Sequence, residues 1–345
     1  MNDDTGAKSD KLSRNNRRTK LEDVAARVGL SPASVSLVLN NAPGPSAETR
    51  RRVQEAAEQL GYRPDRTASL LARRRRHLIG VTFDVRSTFE AELVEEIDGV
   101  IGRFGYDVVL SAMTRNRNEQ RAIETLVDFR CEALILLGAR APSARLAALD
   151  RQLPIVLIGR RTSESLDVVR TSDQDGIGQV VSHLVQLGHG RIAFLDGGKG
   201  TVATDRRNGY RAAMRQYGLG EYIRILPGDL TEQAGIRAAE TLLAEETLPT
   251  AVVAANDRSA VGLLDALHRA NVRVPETISV TGYDDSPLAR LGHVNLTTVS
   301  QNIQQQAEHA VAAAVERLDN GRTEHSEVVL APRLIVRGTS GPPRS

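Results

Sequence analysis

Apolar residues recur at helical spacing through the first sixty residues and then give way to short apolar runs. Leu21, Val24, Ala25 and Val28 share one helical face. Thr19 and Glu22, three positions apart, form a capping-box pattern at its start, and Gly29 stops it. Ser31-Pro32 opens a second helix, with serine as cap and proline at the first helical position, where its missing N–H is harmless. Val35, Val38 and Leu39 turn inward there. Ala33, Ser34, Ser36 and Leu37 are left outside or at the margin. The run NNAPGP reads as a loop. A third helix is expected from about Ser46 to Leu60, ended by Gly61, with Val53, Ala56, Ala57 and Leu60 on its buried face. Two helices joined by a short glycine turn and braced by a third make a helix-turn-helix. The small side chains that begin the second helix would let it enter a major groove about 12 Å wide. The pattern alone would also suit a structural three-helix bundle.

From His77 the period changes. Apolar runs at Leu78–Phe83, Asp107–Leu110, Ala133–Leu137 and Ile155–Ile158 alternate with helical stretches such as Phe89–Phe104 and Asn118–Phe129. A second series of runs follows at Ile192–Leu195, Ile223–Leu226, Ala251–Ala254 and Ile278–Thr281. Helices at about 176–187, 206–217, 231–246 and 258–270 separate them. Such alternation predicts two doubly wound α/β subdomains. A helix at about 302–320 follows a crossing back, and a strand at about 327–331 is expected to rejoin the first subdomain. The expected fold is an all-α helix-turn-helix head plus a two-subdomain α/β core.

Composition adds an asymmetry. The net charge is +2, but residues 1–76 hold 16 Lys/Arg against 9 Asp/Glu, whereas the remainder holds 29 against 34. A basic head on a mildly acidic body suggests a polyanion partner for the head alone. Residues 1–18 are polar and aperiodic and are expected to form a disordered tail. They have no apolar core, so they do not read as a secretory signal, and no stretch approaches 18 apolar residues. A cytoplasmic location is expected. The one cysteine, Cys131, borders an apolar run and reads as a buried, inert thiol.

Ligands on doubly wound sheets bind beyond the carboxyl ends of the strands. Those ends carry Asp84 to Phe89, Ser111, Gly138 and Gly159-Arg160 in the first subdomain. In the second they carry Asp196 to Gly198, Asn256-Asp257 and Tyr283-Asp284-Asp285. Facing one another, these groups would make a cleft able to close on a polar solute.

The run LEDVAARVGLSPASVSLVLN, the Ser46–Gly61 helix and the following YRPDRTASLLA resemble the head of the lactose/galactose repressor (LacI/GalR) family of bacterial transcriptional regulators. The resemblance continues through LIGV at 78–81, LVQLGH at 184–189, AAND at 254–257, VTGYDDSPLA at 280–289, LTTVSQ at 296–301 and LIVRGTS at 334–340. It implies a periplasmic-binding-protein-like core spanning about 77–340, with an N-subdomain of about 77–172 and 302–331 and a C-subdomain of about 173–301 and 332–340. The head would span 19–63 and a hinge helix with its linker 64–76. DNA would be met by Thr19, Ser31, Pro32, Ala33, Ser34, Ser36, Leu37 and Asn40, with Arg66, Ala68 and Leu71 in the hinge. Pro64, Ala68 and Leu71 hold the hinge-helix pattern positions, and Leu71 would be the apolar wedge that unstacks a base step at the centre of a near-palindromic operator. Leu37 departs from the family, which often carries arginine there; leucine cannot make the forked contact to guanine.

In the core, the resemblance implies that Arg206, in RRNGY, grips the effector and that Asp284, in GYDD, accepts its hydrogen bonds. Asn256 and Phe89 are looser matches, and Asp84 and Arg160 join the site from their places past the strands. An Arg/Asp pair suits a hydroxyl-rich ligand such as a sugar. The chain has no tryptophan, the commonest sugar-stacking side chain, so a nucleobase or another metabolite stays open. No cofactor or metal is expected: DGGKGT at 196–201 lacks P-loop spacing, and the seven histidines are scattered. His189, in LGH, reads as a turn brace. The expected function is a small-molecule-controlled DNA-binding regulator, a repressor, working as a homodimer, since paired half-sites need paired heads and the ending RGTSGPPRS lacks the heptads of the family's tetramers. A solute-binding protein of a sugar transport system would explain the body but not the head. An α/β enzyme with a DNA-binding appendage would need a catalytic constellation that the sequence does not offer.

Overall fold

The computed structural model describes residues 19–39, 42–62 and 75–344, and it divides into a head up to Arg76 and a core from His77. In the head, α1 (Leu21–Val28), α2 (Pro32–Leu39) and α3 (Ala47–Gln59) pack around Val24, Val35 and Val53, one from each helix and all without solvent contact. Burying each such side chain contributes roughly 1.5–3 kcal/mol. Gly29 takes the left-handed conformation (φ +67°) that a tight turn after α1 requires. The Ser31 hydroxyl caps α2 by accepting from the Ser34 N–H at 3.2 Å, and Ser46 caps α3 by accepting from the Thr49 N–H at 3.2 Å.

The start of α1 corrects the expected cap. Lys20 precedes the helix, and the Asp23 carboxylate, not Glu22, reaches back to accept from the Lys20 N–H at 2.7 Å. Thr19 lies one residue too early to cap. Its hydroxyl donates instead to the Leu60 carbonyl at 2.9 Å and ties the entry of α1 to the end of α3. Asn40, Arg66, Ala68, Leu71 and the rest of the expected hinge helix lie outside the described residues.

The core has two lobes. The first holds a six-stranded parallel sheet built from β1 (Leu78–Asp84), β2 (Asp107–Met113), β3 (Ala133–Leu137), β4 (Ile155–Ile158) and β5 (Asp167–Thr171), with a sixth strand arriving late in the chain. Helix α4 (Thr88–Ile101) covers one face, where Leu93, Ile97 and Ile101 meet Ile79, Val81 and Ile135. Helices α5 (Glu119–Asp128) and α6 (Ser143–Asp150) belong to the same lobe. The neighbours of Gly80, Leu126 and Cys131, show α5 on the opposite face. Cys131 is buried, and burial pushes its thiol up to about 12.

The second lobe follows through α7 (Asp173–Gln186), β6 (Ile192–Leu195), α8 (Thr201–Gln216), β7 (Arg224–Leu226), α9 (Glu232–Leu243), β8 (Ala251–Ala254), α10 (Asp257–Arg269), β9 (Ser279–Thr281) and α11 (Pro287–Arg290). Its four parallel strands lie in the order β7-β6-β8-β9. Ile192 and Phe194 pack toward α7 and α8, while Ala193 and Leu195 pack toward α9 and α10. Successive strand residues point to opposite faces, so a run apolar at every position must be covered twice.

Short β10 (Thr298–Ser300) leads back to α12 (Ile303–Asp319), which packs beside α4, and to β11 (Glu327–Leu330), which completes the first sheet beside β5. The final strand, β12 (Arg333–Ile335), pairs antiparallel with β10. Strand β5 is an addition to the sequence reading. Its run DVVRT looks polar, but Asp167 is buried because Arg322 and the Ser326 N–H and hydroxyl satisfy it at 2.9–3.0 Å. His189 braces the chain end, its Nε2 donating to the Gly341 carbonyl at 2.8 Å.

The segments after Thr171, after Ser300 and after Leu330 carry the chain between the lobes, and Gln301 knits them. Its carbonyl accepts from the Thr171 hydroxyl at 3.1 Å and from the Gln306 amide at 2.9 Å, while its own amide reaches Asp284 at 2.8 Å. No helix among the described residues is long and apolar enough to cross a membrane.

Candidate functional site

Two surfaces carry the chemistry, one on the head and one in the core. On the head, Val35 and Val38 point inward, so α2 turns its other side out. Ser31, Pro32 and Ala33 are exposed, and Leu37 is 45% exposed. Ser34 and Ser36 are half-buried at the margin. The outward face thus offers small side chains and one apolar one, a shape that can approach base edges closely. Nearby arginines are partly tied down: Arg52 donates to the Val28 carbonyl at 2.9 Å, and Arg51 pairs with Glu48 at 2.9 Å.

In the core, Arg206 and Asp284 come together at the carboxyl ends of the second-lobe strands. Arg206 rises from the first turns of α8. Its Nε donates to Asp173 at 2.8 Å, and one terminal nitrogen donates to the Ala255 carbonyl at 2.7 Å and to Asp284 at 3.3 Å. Its guanidinium lies 3.8 Å from the centre of the Tyr283 ring, in cation–π contact. Gly176 makes room for that ring, since a Cβ there would stand 2.6 Å from the phenol oxygen. Desolvation alone would lower the Arg206 pKa, but Asp173 and Asp284 outweigh it and raise it.

Asp284 is nearly buried, and its backbone is strained: φ is +119° there and +52° at Asp285. A non-glycine residue in such a conformation costs on the order of 1–3 kcal/mol and persists only where its surroundings over-determine it. Here the Asp284 N–H donates to the Val299 carbonyl at 2.9 Å, and Arg337 holds the Asp285 carboxylate at 2.6 Å. Burial pushes Asp284 up to about 6 despite Arg206 and Gln301. Burial, and then the charge of Asp284, push Asp257 up to about 8, although its oxygens accept from Thr298 at 2.5 Å and from the Ser286 N–H at 2.7 Å.

The first lobe carries the other expected strand-end residues. Asp84 ends β1 and pairs with Arg86 at 2.7 Å; burial would raise its pKa, but the Arg86 hydrogen bonds and charge lower it. Phe89 packs half-buried on the first-lobe core. Glu90, next to it, accepts from the Asp84 N–H at 2.6 Å. Burial pushes Glu90 up to about 7, with the charges of Asp84 and Asp284 adding to the shift. Two ion pairs join the lobes: Arg290 with Glu92 at 3.0 Å, and Arg161 with Asp205 at 3.0 Å.

Two of the expected site residues also brace the surrounding backbone. Arg160 is buried with its donors committed to the 139–143 loop: the carbonyls of Ala139 (3.0 Å) and Ala141 (2.8 Å) and the Ser143 hydroxyl (2.8 Å). Asn256 caps α10, accepting from the Ser259 N–H at 3.0 Å and donating to the Leu230 carbonyl at 3.1 Å. Asp173, Gln301 and Glu90, which bond to Arg206, Asp284 and the Asp84 N–H, were not among the expected site residues. Asp173 stands just past β5, so the same strand-end rule would have found it had DVVRT been read as a strand.

Residues 20–65 match the bacterial regulatory proteins of the lacI family, and residues 181–340 match the periplasmic binding protein-like domain. The transcriptional regulator GalR of Escherichia coli is 32% identical over 329 residues, covering 94% of this chain and 96% of that protein. The ribose operon repressor of Escherichia coli is 30% identical over 332 residues, covering 93% of this chain and 99% of that one. The crystal structure of the lac repressor dimer bound to operator and an anti-inducer superposes with a TM-score of 0.81 at 28% identity, covering 94% of this chain and all of that one. Head, core and both relatives agree, and the chain belongs to the lacI family: it is a DNA-binding transcriptional regulator, not an enzyme.

Proposed function

We propose that this regulator is a cytoplasmic homodimeric repressor, released from or locked onto a near-palindromic operator by a sugar or sugar derivative held in the core cleft. The observation that carries the sensor is the buried Arg206 guanidinium fixed between Asp173 and Asp284 over Tyr283, at the carboxyl ends of the second-lobe strands. Arginine donates in a fixed fork and carboxylates accept from hydroxyls, so a hydroxyl-rich solute satisfies both. The relatives named for a ribose operon and for the lac operator support this reading.

On the head, the outward face of α2, with Ser31, Pro32, Ala33, Ser34, Ser36 and Leu37, would read bases. Thr19, Asn40, Arg66 and Ala68 would add backbone contacts, and Leu71 the minor-groove wedge. Paired heads need paired half-sites, hence the homodimer. A solute that prefers closed lobes would shift operator affinity by a coupling of about 1–3 kcal/mol.

The test is a titration of the full-length protein on genomic fragments at two salt concentrations, with and without a sugar panel. A sequence-preferring complex that changes with one sugar is the expected result. Binding that shows no sequence preference would sink the operator reading. Binding indifferent to every metabolite would sink the sensor.

A further inference from the structure

We propose that α2 reads thymine methyl groups in the operator, with Leu37 selecting one thymine in each half-site; this rests on α2 being the helix that meets base edges.

Helix α2 is PASVSLVL, a run without a charged or amide side chain. The contacts that name a base by hydrogen bonding mostly need such groups: arginine or lysine for guanine, asparagine or glutamine for adenine, a carboxylate for cytosine. Hydroxyls and apolar contacts are what this helix has left. Two of its hydroxyls serve the helix itself. Ser31, the cap, accepts from the Ser34 N–H at 3.2 Å, and the Ser31 and Ser34 hydroxyls share a hydrogen bond of 2.9 Å. Ser36 is half-buried at the margin. The arginines of α3 are committed as well. Arg50 donates to the Ala42 carbonyl at 2.5 Å, Arg52 to the Val28 carbonyl at 2.9 Å, and Arg51 holds Glu48 and Glu55 at 2.9 and 3.1 Å.

The apolar residues of α2 divide by face. Val35 and Val38 fill the core of the head and Leu39 packs against it, whereas Leu37 stays 45% exposed. Ala33, four positions earlier, is exposed too, so the two share one outward stripe a turn apart. A single exposed leucine means little on an ordinary surface. On a helix stripped of forked donors and acceptors it is the largest group that can meet a base edge. Thymine alone of the four bases offers a methyl in the major groove. Leucine over that methyl removes two apolar surfaces from water. Over cytosine it would cover the amino donor without accepting from it, and a polar group desolvated without a partner is costly.

The experiment starts from duplexes selected out of a random-sequence library by the full-length protein, with affinity read by fluorescence anisotropy at one salt concentration. Deoxyuridine then replaces thymidine one position at a time, which deletes the methyl and keeps the base pair. At one symmetry-related position in each half-site, the replacement is expected to weaken wild-type binding about fourfold per methyl. Leu37→Ala should bind the thymine and uracil duplexes alike. Glu58→Ala, on the exposed side of α3, should keep the wild-type difference. Circular dichroism confirms that each variant is folded. A preferred sequence that tolerates uracil at every position would overturn the methyl readout and leave the operator reading standing. A uracil penalty that persists in full in Leu37→Ala would overturn the assignment to Leu37. A library that yields no preferred sequence would overturn the operator reading and this proposal together.

Discussion

Arg206 and Asp284 stand 78 positions apart in the chain and meet 3.3 Å apart, the guanidinium already held on its other side by Asp173. The contact ties the second turn of one helix to the strained loop after β9. It makes Arg206 a structural element as well as a proposed ligand group.

Removing it should therefore act twice. Arg206→Ala leaves Asp173 buried without its partner, which costs about 3–5 kcal/mol in comparable buried pairs. The expected outcome is a clear fall in melting temperature together with loss of the sugar response, while the folded fraction still shifts an operator fragment. Arg206→Lys should not restore the response, because a point charge cannot hold Asp173, Asp284 and the Ala255 carbonyl at once. A response that survives in either variant would remove Arg206 from the site.

The ligand-free protein should lose stability as pH rises. Asp284, Glu90 and Asp257 have folded values near 6, 7 and 8, all above the ordinary carboxylate range near 4. An acid whose folded pKa is raised is favoured by folding only while protonated. Its contribution is complete below about pH 4 and disappears as pH climbs through the folded values. Melting curves between pH 5 and 8.5 should show this loss, on top of the other titrations. Glu90→Gln, which still accepts from the Asp84 N–H, should flatten the slope around pH 7. An unchanged slope would show that Glu90 does not carry a raised value.

Gly176 tests the support beneath the site. A Cβ there would lie 2.6 Å from the Tyr283 oxygen and 2.8 Å from its ring, so the ring must move. Gly176→Ala should destabilise by about 1–3 kcal/mol, the usual cost of overpacking, and weaken the sugar in parallel because the Tyr283 ring carries Arg206. Loss of stability with full sugar affinity would separate the ring from the site.

For the head, Leu71→Ala should weaken operator binding by at least tenfold and leave binding to random DNA nearly unchanged. A wedge acts only where the duplex can be kinked. Equal losses on both DNAs, measured at one salt concentration, would count against a wedge.

Much of this was legible before any coordinates. Strands β3, β4, β6 and β8 are runs without a polar residue, and their limits could be read to the residue. The three valines at the centre of the head each lie on an apolar helical face and were equally plain. Strand β5 was hidden because its buried charge, Asp167, is neutralised by Arg322 from far along the chain. Missing β5 also hid Asp173. The cap of α1 was misplaced because Thr19 with Glu22 fits the capping-box pattern and Lys20 with Asp23 does not, while a long-range bond to Leu60 takes the Thr19 hydroxyl. Arg160 and Asn256 sit at strand ends as the rule requires. What a strand-end residue bonds to depends on neighbouring loops, and no spacing in the sequence records that.

Gln301 places the sensor close to its own fulcrum. The amide that touches Asp284 belongs to the residue whose carbonyl is gripped by Thr171 and Gln306, where the chain passes between lobes. A solute that draws Asp284 toward itself pulls near the pivot, where the arm is short. Displacement grows with distance from a pivot, so a shift of a fraction of an ångström there becomes a larger sweep at the outer rim of the lobe. For the proposed sensor, such a geometry would trade force for travel, turning a tight grip at the centre into movement at the edge.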